Sequence, residues 1–221
     1  MSAPRIVTLD GPAGVGKTTL ARRVAEALGL AYLDTGAMFR ATALALGPGA
    51  RELPGAGLRA RLEGLAFGLE GRGAASALRL NGRPVGEEIR TEQVGMLASD
   101  VATLPEVREF LKAAQRAVGR ATALVAEGRD MGTVVFPEAA HKFFLDAAPE
   151  IRARRRCEQL RALGAPADLD AVTAQIRARD HQDRTRAVAP LRPAEDALVI
   201  DTGPLDIDGV FAAIMAALGR S

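Results

Sequence analysis

Short apolar runs alternate with stretches of helical periodicity along most of the chain. The first run, at residues 5–9 (RIVTL), is rich in β-branched residues, as is typical of a strand buried in a parallel sheet. Beyond a glycine-rich stretch, Leu20, Val24 and Leu28 recur at the spacing of one helix face. Gly29 follows them, where a helix-ending glycine would stand. The other apolar runs that precede a helical pattern are LAYL at 30–33, ALVA at 123–126, KFFL at 142–145 and ALVI at 197–200. This alternation predicts an α/β fold with a parallel sheet core and helices on both faces.

The middle of the chain departs from this alternation. Residues 47–57 (GPGARELPGAG) are typical of a loop, and two apolar arms follow, LAFGLE and LRLNGRPV. Asn81-Gly82 is a strong hairpin signal, and Pro84 favours a sheet edge for the arm that contains it. We therefore predict a small antiparallel insertion at approximately residues 58–90. The alanine-rich end of the chain (AAIMAALG) predicts a helix.

Composition narrows the class of protein. Of the 221 residues 48% are hydrophobic, which suffices for a core in one large domain or one domain with an insertion. The 29 basic and 27 acidic residues leave a net charge of +2, and lysine occurs at only three positions, so most basic residues are arginines. One cysteine, Cys157, forms no internal disulfide, and no run has the length of a signal peptide or a bilayer span. We expect a cytoplasmic monomer without a membrane partner. Its two histidines are far apart, so a metal ion should arrive with a ligand.

One motif carries a specific chemistry. Residues 11–18 (GPAGVGKT) match the pattern G-x-x-x-x-G-K-[ST] in full, between a predicted strand and a predicted helix. Successive backbone N–H groups and a helix N-terminus bind phosphate there, and glycines allow the main chain to come close. In this pattern Lys17 reaches the β- and γ-phosphates and the Thr18 hydroxyl is placed to bind Mg²⁺. The sequence therefore predicts a nucleoside triphosphate site.

The motif leaves the use of the triphosphate open. A guanine-binding motif of the Asn-Lys-x-Asp kind is excluded, because it needs an asparagine before lysine and Asn81 precedes glycine, so a GTPase is disfavoured. A nucleic-acid ATPase would more often end a strand in adjacent acids, whereas Glu127 and Asp130 are separated by two residues. A kinase needs cations around an acceptor anion. Arginines suit that role, so a kinase is favoured over a GTPase and a nucleic-acid ATPase.

Arginines follow the predicted strands at positions suited to an acceptor. Arg40 lies at the start of a helix, and Arg129 and Asp130 follow a strand, where ligands of parallel sheets bind. A further group shares one predicted helix face at i, i+4 and i+7 spacing and consists of Arg179, Asp183 and Arg186. For each alone, an exposed arginine or a surface ion pair remains the alternative. Their joint placement after strand ends favours the functional interpretation.

A predicted helix near residue 155 is unusually rich in arginine. Its arginines are Arg152, Arg154, Arg155, Arg156 and Arg161. A solvated basic helix, nucleic-acid contact and a mobile lid that carries arginines onto the triphosphate are all compatible with the pattern. Aromatic residues make up only 4% of the chain, with no Trp, which gives base stacking little to work with. The lid interpretation is favoured, and we expect no nucleic-acid partner.

Several separate segments together resemble one family, the bacterial cytidylate kinases among the nucleoside monophosphate kinases. The segments are LDGPAGVGKTTLA, YLDTGAMFRA, GEEIRTEQV, AEGRDMGTVVFPEA and RDHQDRTRAVAPLRPAEDALVIDT. The resemblance covers nearly the whole chain. It implies one P-loop domain over residues 1–221, with an enlarged monophosphate-binding insertion at about 58–90 and an arginine-rich lid at about 152–165. It also implies ATP as co-substrate, Mg²⁺, and the acceptors CMP and dCMP in pyrimidine nucleotide metabolism.

The resemblance assigns roles residue by residue. ATP would be held by Gly11, Pro12, Ala13, Gly14, Val15, Gly16, Lys17, Thr18 and Thr19, with Thr18 at the metal. The acceptor nucleotide would contact Thr35, with Arg40 and Arg129 at its phosphate. The cytosine edge would be read by Ser99, Arg108 and Asp130. Arg179, Asp183 and Arg186 would contact the ribose, phosphate and transferring group, so that Lys17, Arg129, Arg179 and Arg186 are the catalytic residues.

Two positions depart from the family pattern, and rivals stay open. Phe39 stands where tyrosine is expected, and Glu127 stands where aspartate is expected. We expect in-line transfer without a covalent intermediate or a general base, with the insertion and the lid closing around glycines near Gly57 and Gly164. The alternatives are a kinase for uridylate, adenylate or a metabolite, and a nucleic-acid-binding regulatory ATPase.

Overall fold

A computed structural model describes residues 5–162 and 164–219 of the chain. Two compact units divide the described residues between them. The first unit consists of the described residues within Met1–Ile6 and Ala25–Glu127. The second unit consists of the described residues within Val7–Val24 and Gly128–Ser221. Residues 1–4, 163, 220 and 221 lie outside the description, so the predicted lid at 152–165 is described except for position 163.

The elements of the described residues alternate as the sequence predicts. The strands are β1 (Ile6–Asp10), β2 (Ala31–Asp34), β3 (Phe67–Glu70), β4 (Ala77–Leu80), β5 (Arg83–Pro84), β6 (Leu124–Gly128), β7 (His141–Asp146) and β8 (Leu198–Asp201). The helices are α1 (Lys17–Leu28), α2 (Thr35–Leu46), α3 (Gly55–Glu63), α4 (Glu92–Val101), α5 (Pro105–Ala121), α6 (Pro149–Ala162), α7 (Leu169–Thr185) and α8 (Ile207–Leu218). Short 3₁₀ turns occupy Ala50–Glu52, Gly73–Ala75 and Glu87–Arg90, and one π-type turn occupies Met131–Val135.

Two sheets organise these elements. Five strands form a parallel sheet in the order β2-β6-β1-β7-β8, and the other three form an antiparallel sheet in the order β3-β4-β5. Each of the five parallel strands begins within one residue of the apolar run that predicts it. The predicted fold class, a parallel α/β core with a small antiparallel sheet, is therefore confirmed.

In the first unit, the paired strands β2 and β6 support the start of α2. They run parallel, with Tyr32 opposite Val125 and Asp34 opposite Glu127. Asp34 ends β2 and caps α2, because its carboxylate accepts the backbone N–H of Ala37 at 2.8 Å. This local cap fixes where the chain turns from strand to helix, so that Thr35 begins α2.

The small antiparallel sheet forms around the predicted hairpin turn. Asn81 and Gly82 both have positive φ, 51° and 74°, as a two-residue hairpin turn of the primed type requires. The Asn81 side chain accepts from the N–H of Ala66 at 2.7 Å and donates to the carbonyl of Gly64 at 3.0 Å. β5, which contains Pro84, lies at the edge of this sheet as predicted. One apolar cluster joins this sheet to its neighbours. Phe67, Leu78 and Leu80 of the sheet, with Val85 just after β5, pack on Ala37, Ala41, Ile89 and Val94.

The extent of the insertion differs from the prediction. The antiparallel strands cover only residues between 67 and 84, because residues 55–63 form helix α3 and 87–90 form a 3₁₀ turn. Leu58 and Leu62 are both buried and lie four residues apart, which is helical spacing. The sequence pattern did not predict this helix, because it contains Gly55 and Gly57 and glycine is a poor helix former. Gly57, a suggested hinge, lies inside α3.

The second unit is built on β1, β7 and β8. These strands run parallel, with Leu9 opposite Phe143 and Leu145 opposite Ile200. Leu9 and Leu145 are fully buried, as expected for a sheet covered on both faces. Helices α6 and α7 pack together through Ala153, Cys157, Val172 and Ile176. The sheet carries the phosphate motif at the end of β1, and the helix pair carries two of the predicted acceptor residues, Arg179 and Asp183.

Candidate active site

The glycine-rich loop between β1 and α1 adopts backbone conformations that only glycine takes readily. Gly11, Gly14 and Gly16 have φ of 148°, 82° and 88°. A Cβ added to Gly11 would lie 2.1 Å from the carbonyl oxygen of Leu145, so the loop starts in direct backbone contact with β7. The motif glycines are thus required by the geometry of the loop, which leads its backbone into the first turn of α1.

Lys17 begins α1 and lies folded over the loop. It is 7% exposed, and its Nζ donates to the carbonyl of Pro12 at 2.6 Å. Thr18 and Thr19 follow it in the first turn and are exposed. This turn contains no acidic residue, so no carboxylate of the turn offsets the partial positive charge of the helix N-terminus. The loop and this turn together can bind an anion.

A carboxylate that the sequence interpretation left without a role lies directly before this loop. Asp10 ends β1, is 4% exposed, and accepts the backbone N–H groups of Met131 at 2.9 Å and Gly132 at 2.7 Å. Burial raises the pKa of Asp10 from 3.8 to about 6, against the two N–H donors and the charge of Lys17, which lower it. The nearby charge of Asp130 raises it further. In the sequence, the signal for a role of Asp10 is that it directly precedes the glycine motif.

Four of the predicted acceptor residues meet in the second unit. Arg129 Nε donates to an oxygen of Asp183 at 2.9 Å, and Arg129 Nη1 donates to the carbonyl of Gly128 at 3.3 Å. Arg186 lies 3.7 Å from Asp183 and 3.8 Å from Asp130. Two guanidinium groups and two carboxylates therefore form one partly buried network, in which each arginine faces at least one carboxylate.

The predicted helix face of Arg179, Asp183 and Arg186 needs one correction. Helix α7 ends at Thr185, and Arg186 has extended backbone with φ −60° and ψ 139°. The carbonyl of Asp183 accepts the N–H of Leu191 at 2.8 Å instead of continuing the helical ladder, which stabilises this exit. Arg186 nevertheless returns to the network and donates from Nε to the carbonyl of Ala189. Arg179 lies on α7, one turn before Asp183, and is exposed.

In the first unit, Arg40 and Thr35 are held at the carboxyl ends of β2 and β6. Arg40 Nη2 lies 3.2 Å from the second oxygen of the capping carboxylate of Asp34. The Thr35 hydroxyl donates to the carbonyl of Glu127 at 2.6 Å. The Glu127 carboxylate is buried and accepts the hydroxyl of Tyr32. The longer side chain at the position where aspartate is expected is thus held by the phenol.

The predicted base-reading residues of the first unit lie on α4 and α5. Ser99 is half-buried on α4, and its hydroxyl donates to the carbonyl of Gly95 at 3.2 Å. Arg108 is 8% exposed on α5 and donates to the carbonyl of Ala102 at 3.3 Å. Its guanidinium lies 5.7 Å from the ring centre of Phe39, a cation–π distance. The departure at Phe39 therefore keeps an aromatic face for Arg108.

The arginine-rich helix α6 has a buried side and an exposed side. Arg152 is 1% exposed, forms a two-point ion pair with Asp180, and donates to the carbonyl of Ala13 in the loop at 3.0 Å. Arg155 donates to the hydroxyl and carbonyl oxygens of Thr202. The exposed arginines of the helix are Arg154, Arg156 and Arg161. Arg152 and Arg155 link α6 to the loop and to Thr202, a role that the sequence pattern did not distinguish from a lid function.

The sheet order and the glycine loop define the class as a P-loop nucleotide-binding protein. The described residues contain no helix that is both long enough and apolar enough to cross a bilayer. A solved structure of an uncharacterized protein from Eubacterium ventriosum shares the fold, with a TM-score of 0.52, 11% identity, and coverage of 98% of this chain and 99% of that one.

The cytidylate kinase family model matches residues 7–220. Cytidylate kinases of Nitratidesulfovibrio vulgaris and Oleidesulfovibrio alaskensis are 66% and 65% identical to the chain, covering 97% and 96% of it and 92% and 97% of their own lengths. That of Lawsonia intracellularis is 46% identical, over 95% of this chain and 93% of its own. The chain belongs to the cytidylate kinase family. The family and the kinase class predicted from the sequence are confirmed.

Proposed function

We propose that this protein transfers the γ-phosphoryl group of ATP to CMP and dCMP, giving ADP with CDP or dCDP. The observation that carries the proposal is the complete glycine loop, with Lys17 at the start of α1, in a chain of the cytidylate kinase family. The loop supplies a site for the triphosphate, and family membership supplies the acceptor. A second function has no comparable support.

The donor is held by residues 11–19 in this proposal. Backbone N–H groups of the loop bind the phosphates, and Lys17 exchanges its bond to the Pro12 carbonyl for a phosphate oxygen. Such an exchange replaces one neutral acceptor with an anionic one, which strengthens the hydrogen bond of the ammonium group. Gly11 and Gly14 allow the positive φ values that shape the loop.

The residues present fit a Mg²⁺ ion that arrives with the nucleotide. Among the residues that the structure describes, no three His, Cys, Asp or Glu side chains form a metal-binding group. Mg²⁺ is typically held by one or two protein oxygens together with substrate phosphates. Thr18 is exposed beside Lys17, and its hydroxyl would be such a ligand. When bound, the ion supplies neutralisation of phosphate charge.

The acceptor roles follow the residues named from the sequence. Thr35, Arg40 and Arg129 bind the acceptor and its phosphate. Ser99, Arg108 and Asp130 read the cytosine edge, since a carboxylate accepts from the exocyclic amine that uracil lacks. Arg179, Asp183 and Arg186 contact the ribose and the transferring group. The ion pair of Arg129 with Asp183 at 2.9 Å supports this assignment, because it holds a guanidinium in one orientation.

The chemistry needs no general base. A phosphate monoester has a second pKa of about 6, so the attacking oxygen of the acceptor is already anionic at neutral pH. Catalysis then rests on positioning and on neutralising the charge of the transferring group. Lys17, Arg129, Arg179 and Arg186 supply that positive charge in our proposal. Asp183 lies within 4 Å of both Arg129 and Arg186 and restricts how far either one moves.

We further propose that the 58–90 insertion and the 152–165 region close over the nucleotides, which prevents idle hydrolysis. Gly164 has φ of 72° just beyond α6, which is a conformation that permits a sharp change of direction. Hydrogen exchange of these two regions should slow when ATP and CMP are both bound. Unchanged exchange in both regions would contradict closure.

Oligomeric state, compartment and the absence of a nucleic-acid partner are further parts of the proposal. The protein acts as a cytoplasmic monomer on small nucleotides. The exposed arginines of α6 face solvent without an aromatic residue on that helix to stack on bases. Sedimentation equilibrium tests the monomer, and RNA-stimulated ATP hydrolysis would overturn the exclusion of nucleic acid.

A coupled assay for ADP tests the proposed function directly. Wild-type protein receives ATP and Mg²⁺ with each of CMP, dCMP, UMP and AMP in turn. We expect CMP and dCMP to support turnover far better than UMP or AMP. Preferred use of UMP or AMP would reject the base-reading roles of Ser99, Arg108 and Asp130. ATP hydrolysis that depends on nucleic acid, with no use of a monophosphate, would reject the kinase.

A further inference from the structure

Asp10 joins two segments that are far apart in the sequence. It is the last residue of β1 and directly precedes the phosphate loop. One of its carboxylate oxygens accepts the N–H of Met131 at 2.9 Å, and the other accepts the N–H of Gly132 at 2.7 Å. Both bonds link positions more than a hundred residues apart. Hydrogen bonds from N–H groups to an ionised carboxylate are shorter and stronger than bonds between neutral groups.

The segment that Asp10 holds is the start of the π-type turn Met131–Val135. The first N–H groups of any helical turn have no acceptor within the turn. Asp130 precedes this turn but does not cap it with its own side chain. Asp10 takes that role from another strand, and the side chain of Asp130 is left to face Arg186 at 3.8 Å.

Crowding at Gly132 supports a specific fit. A Cβ added to Gly132 would lie 3.0 Å from the hydroxyl of Thr8 and 3.2 Å from a side-chain carbon of Lys142. Both neighbours belong to strands that pack around the turn. A side chain at residue 132 would therefore crowd Thr8 and Lys142 beside the backbone that the Asp10 carboxylate holds.

We propose that Asp10 is a positioning residue for phosphoryl transfer, an inference that rests on the function proposed above. By holding the backbone of Met131 and Gly132, it fixes Arg129 and Asp130, which directly precede them, against the strand that leads into the phosphate loop. Asp10 itself contacts neither nucleotide. It acts through the main chain, and Arg129 and Asp130 then meet Asp183 and Arg186 at the distances given above.

The charges around Asp10 suit this role. Lys17 and the two N–H groups favour the ionised carboxylate, whereas burial and the charge of Asp130 oppose it. With a pKa of about 6, Asp10 is ionised above pH 7 and accepts both N–H groups. A neutral carboxylic acid would place a proton on one oxygen, and that oxygen would then be a poor partner for an N–H donor.

The test compares Asp10→Asn with wild-type protein at pH 8. The amide keeps the shape of the side chain but sets an NH₂ donor against one of the two N–H donors. We expect kcat/KM for CMP to fall by about 10- to 100-fold, while the directly measured Kd for Mg-ATP stays within about threefold. Asp168→Asn is the matched control, since Asp168 also accepts two backbone N–H groups but does so at the exposed start of α7. Asp168→Asn should change neither kcat/KM for CMP nor the Kd for Mg-ATP.

A second variant keeps the carboxylate and moves its partner. Gly132→Ala crowds Thr8 and Lys142, and we expect it to shift the backbone of the turn away from Asp10. It should then show the same split between kcat/KM for CMP and Kd for Mg-ATP, even if Asp10→Asn does not fold. Wild-type kinetics for CMP in both variants would overturn the role of Asp10 alone. Equal losses for CMP and ATP would also overturn it. Wild-type protein that fails to phosphorylate CMP would overturn the proposed function and this role with it.

Discussion

Arg40 of the first unit pairs with a near neighbour in the sequence, whereas Arg129 of the second unit pairs with a distant residue. Arg40 pairs with Asp34, six residues away. Arg129 pairs with Asp183, 54 residues away. Because Asp34 caps the helix that carries Arg40, the first pair forms with that helix. The second pair exists only when the whole unit is folded.

This difference predicts different responses to substitution. Replacing a locally held side chain removes only the contribution of that side chain. In a long-range network, the effect of replacing one member depends on whether the other members are present. We therefore expect substitutions in the second unit to be coupled and those in the first unit to be nearly independent.

The largest effect should follow from breaking the Arg129–Asp183 pair. We expect Arg129→Ala to lower kcat/KM for CMP by about 1000-fold, because it removes a charge that neutralises the transferring group. Asp183→Ala should also be severe, and the double variant should be less impaired than the product of the two, with a coupling of about 1–3 kcal/mol. Arg177→Ala, which removes an exposed ion pair with Glu150 in the same unit, is the control and should stay close to wild type. Strictly multiplicative losses would contradict the network.

The buried carboxylate of Asp10 adds a pH-dependent term in the second unit. Its folded-state pKa of about 6 exceeds its ordinary value of 3.8, so the folded state binds the proton more tightly. The contribution of Asp10 to stability is therefore full below pH 4 and is lost as pH rises through about 6, an effect of order 3 kcal/mol. Urea unfolding of wild type and Asp10→Asn from pH 4.5 to pH 8 measures it. The wild type should lose stability relative to the variant over the lower part of this range, and parallel curves would refute the shifted pKa.

A smaller effect is expected from Arg40 in the first unit. We expect Arg40→Ala to lower kcat/KM for CMP by about 100-fold while leaving the Kd of Mg-ATP unchanged. Asp34→Asn is the informative partner, because asparagine still caps α2 but no longer pairs its charge with Arg40. The coupling of the two should stay below about 1 kcal/mol, as for a partly exposed pair. Coupling as large as that of Arg129 with Asp183 would remove the distinction between the units.

The smallest effect should come from Phe39. Replacing it with leucine removes the aromatic face under Arg108 and should lower kcat/KM for CMP by only about three- to fivefold, the value of a modest cation–π contact. Phe39→Tyr keeps the ring and serves as the control, with kinetics near those of wild type. A tyrosine variant that differs as much as the leucine variant would show that the hydroxyl, and not the ring, matters at this position.

How well the fold could be predicted depended on how local its signals are. The five parallel strands are short β-branched runs between turn signals, and each lies where the sequence places it. Gly29, with φ of 63°, ends α1 as expected, and Asn81-Gly82 forms the expected turn. Helix α3 was missed because its first residues, Gly55 and Gly57, are typical of a loop, and only the burial of its leucines reveals the helical face.

The candidate site was less predictable, for a related physical reason. The glycine motif names its residues outright, since its geometry is contained in eight consecutive positions. Helical spacing grouped Asp183 with Arg179 and Arg186, but the structure pairs it most closely with Arg129, which no local pattern indicates. Asp10 left even less of a signal. Its partners are backbone N–H groups of residues 131 and 132, and any residue type but proline can supply an N–H.

The hydrogen bond from Tyr32 to Glu127 has an optical consequence. The chain has one tyrosine and no tryptophan, so its ultraviolet emission arises from a single phenol. That fluorophore is 6% exposed and donates to a buried carboxylate at the end of β6. Any change in the protonation or position of Glu127 is therefore reported by the native emission of the protein, without an introduced label.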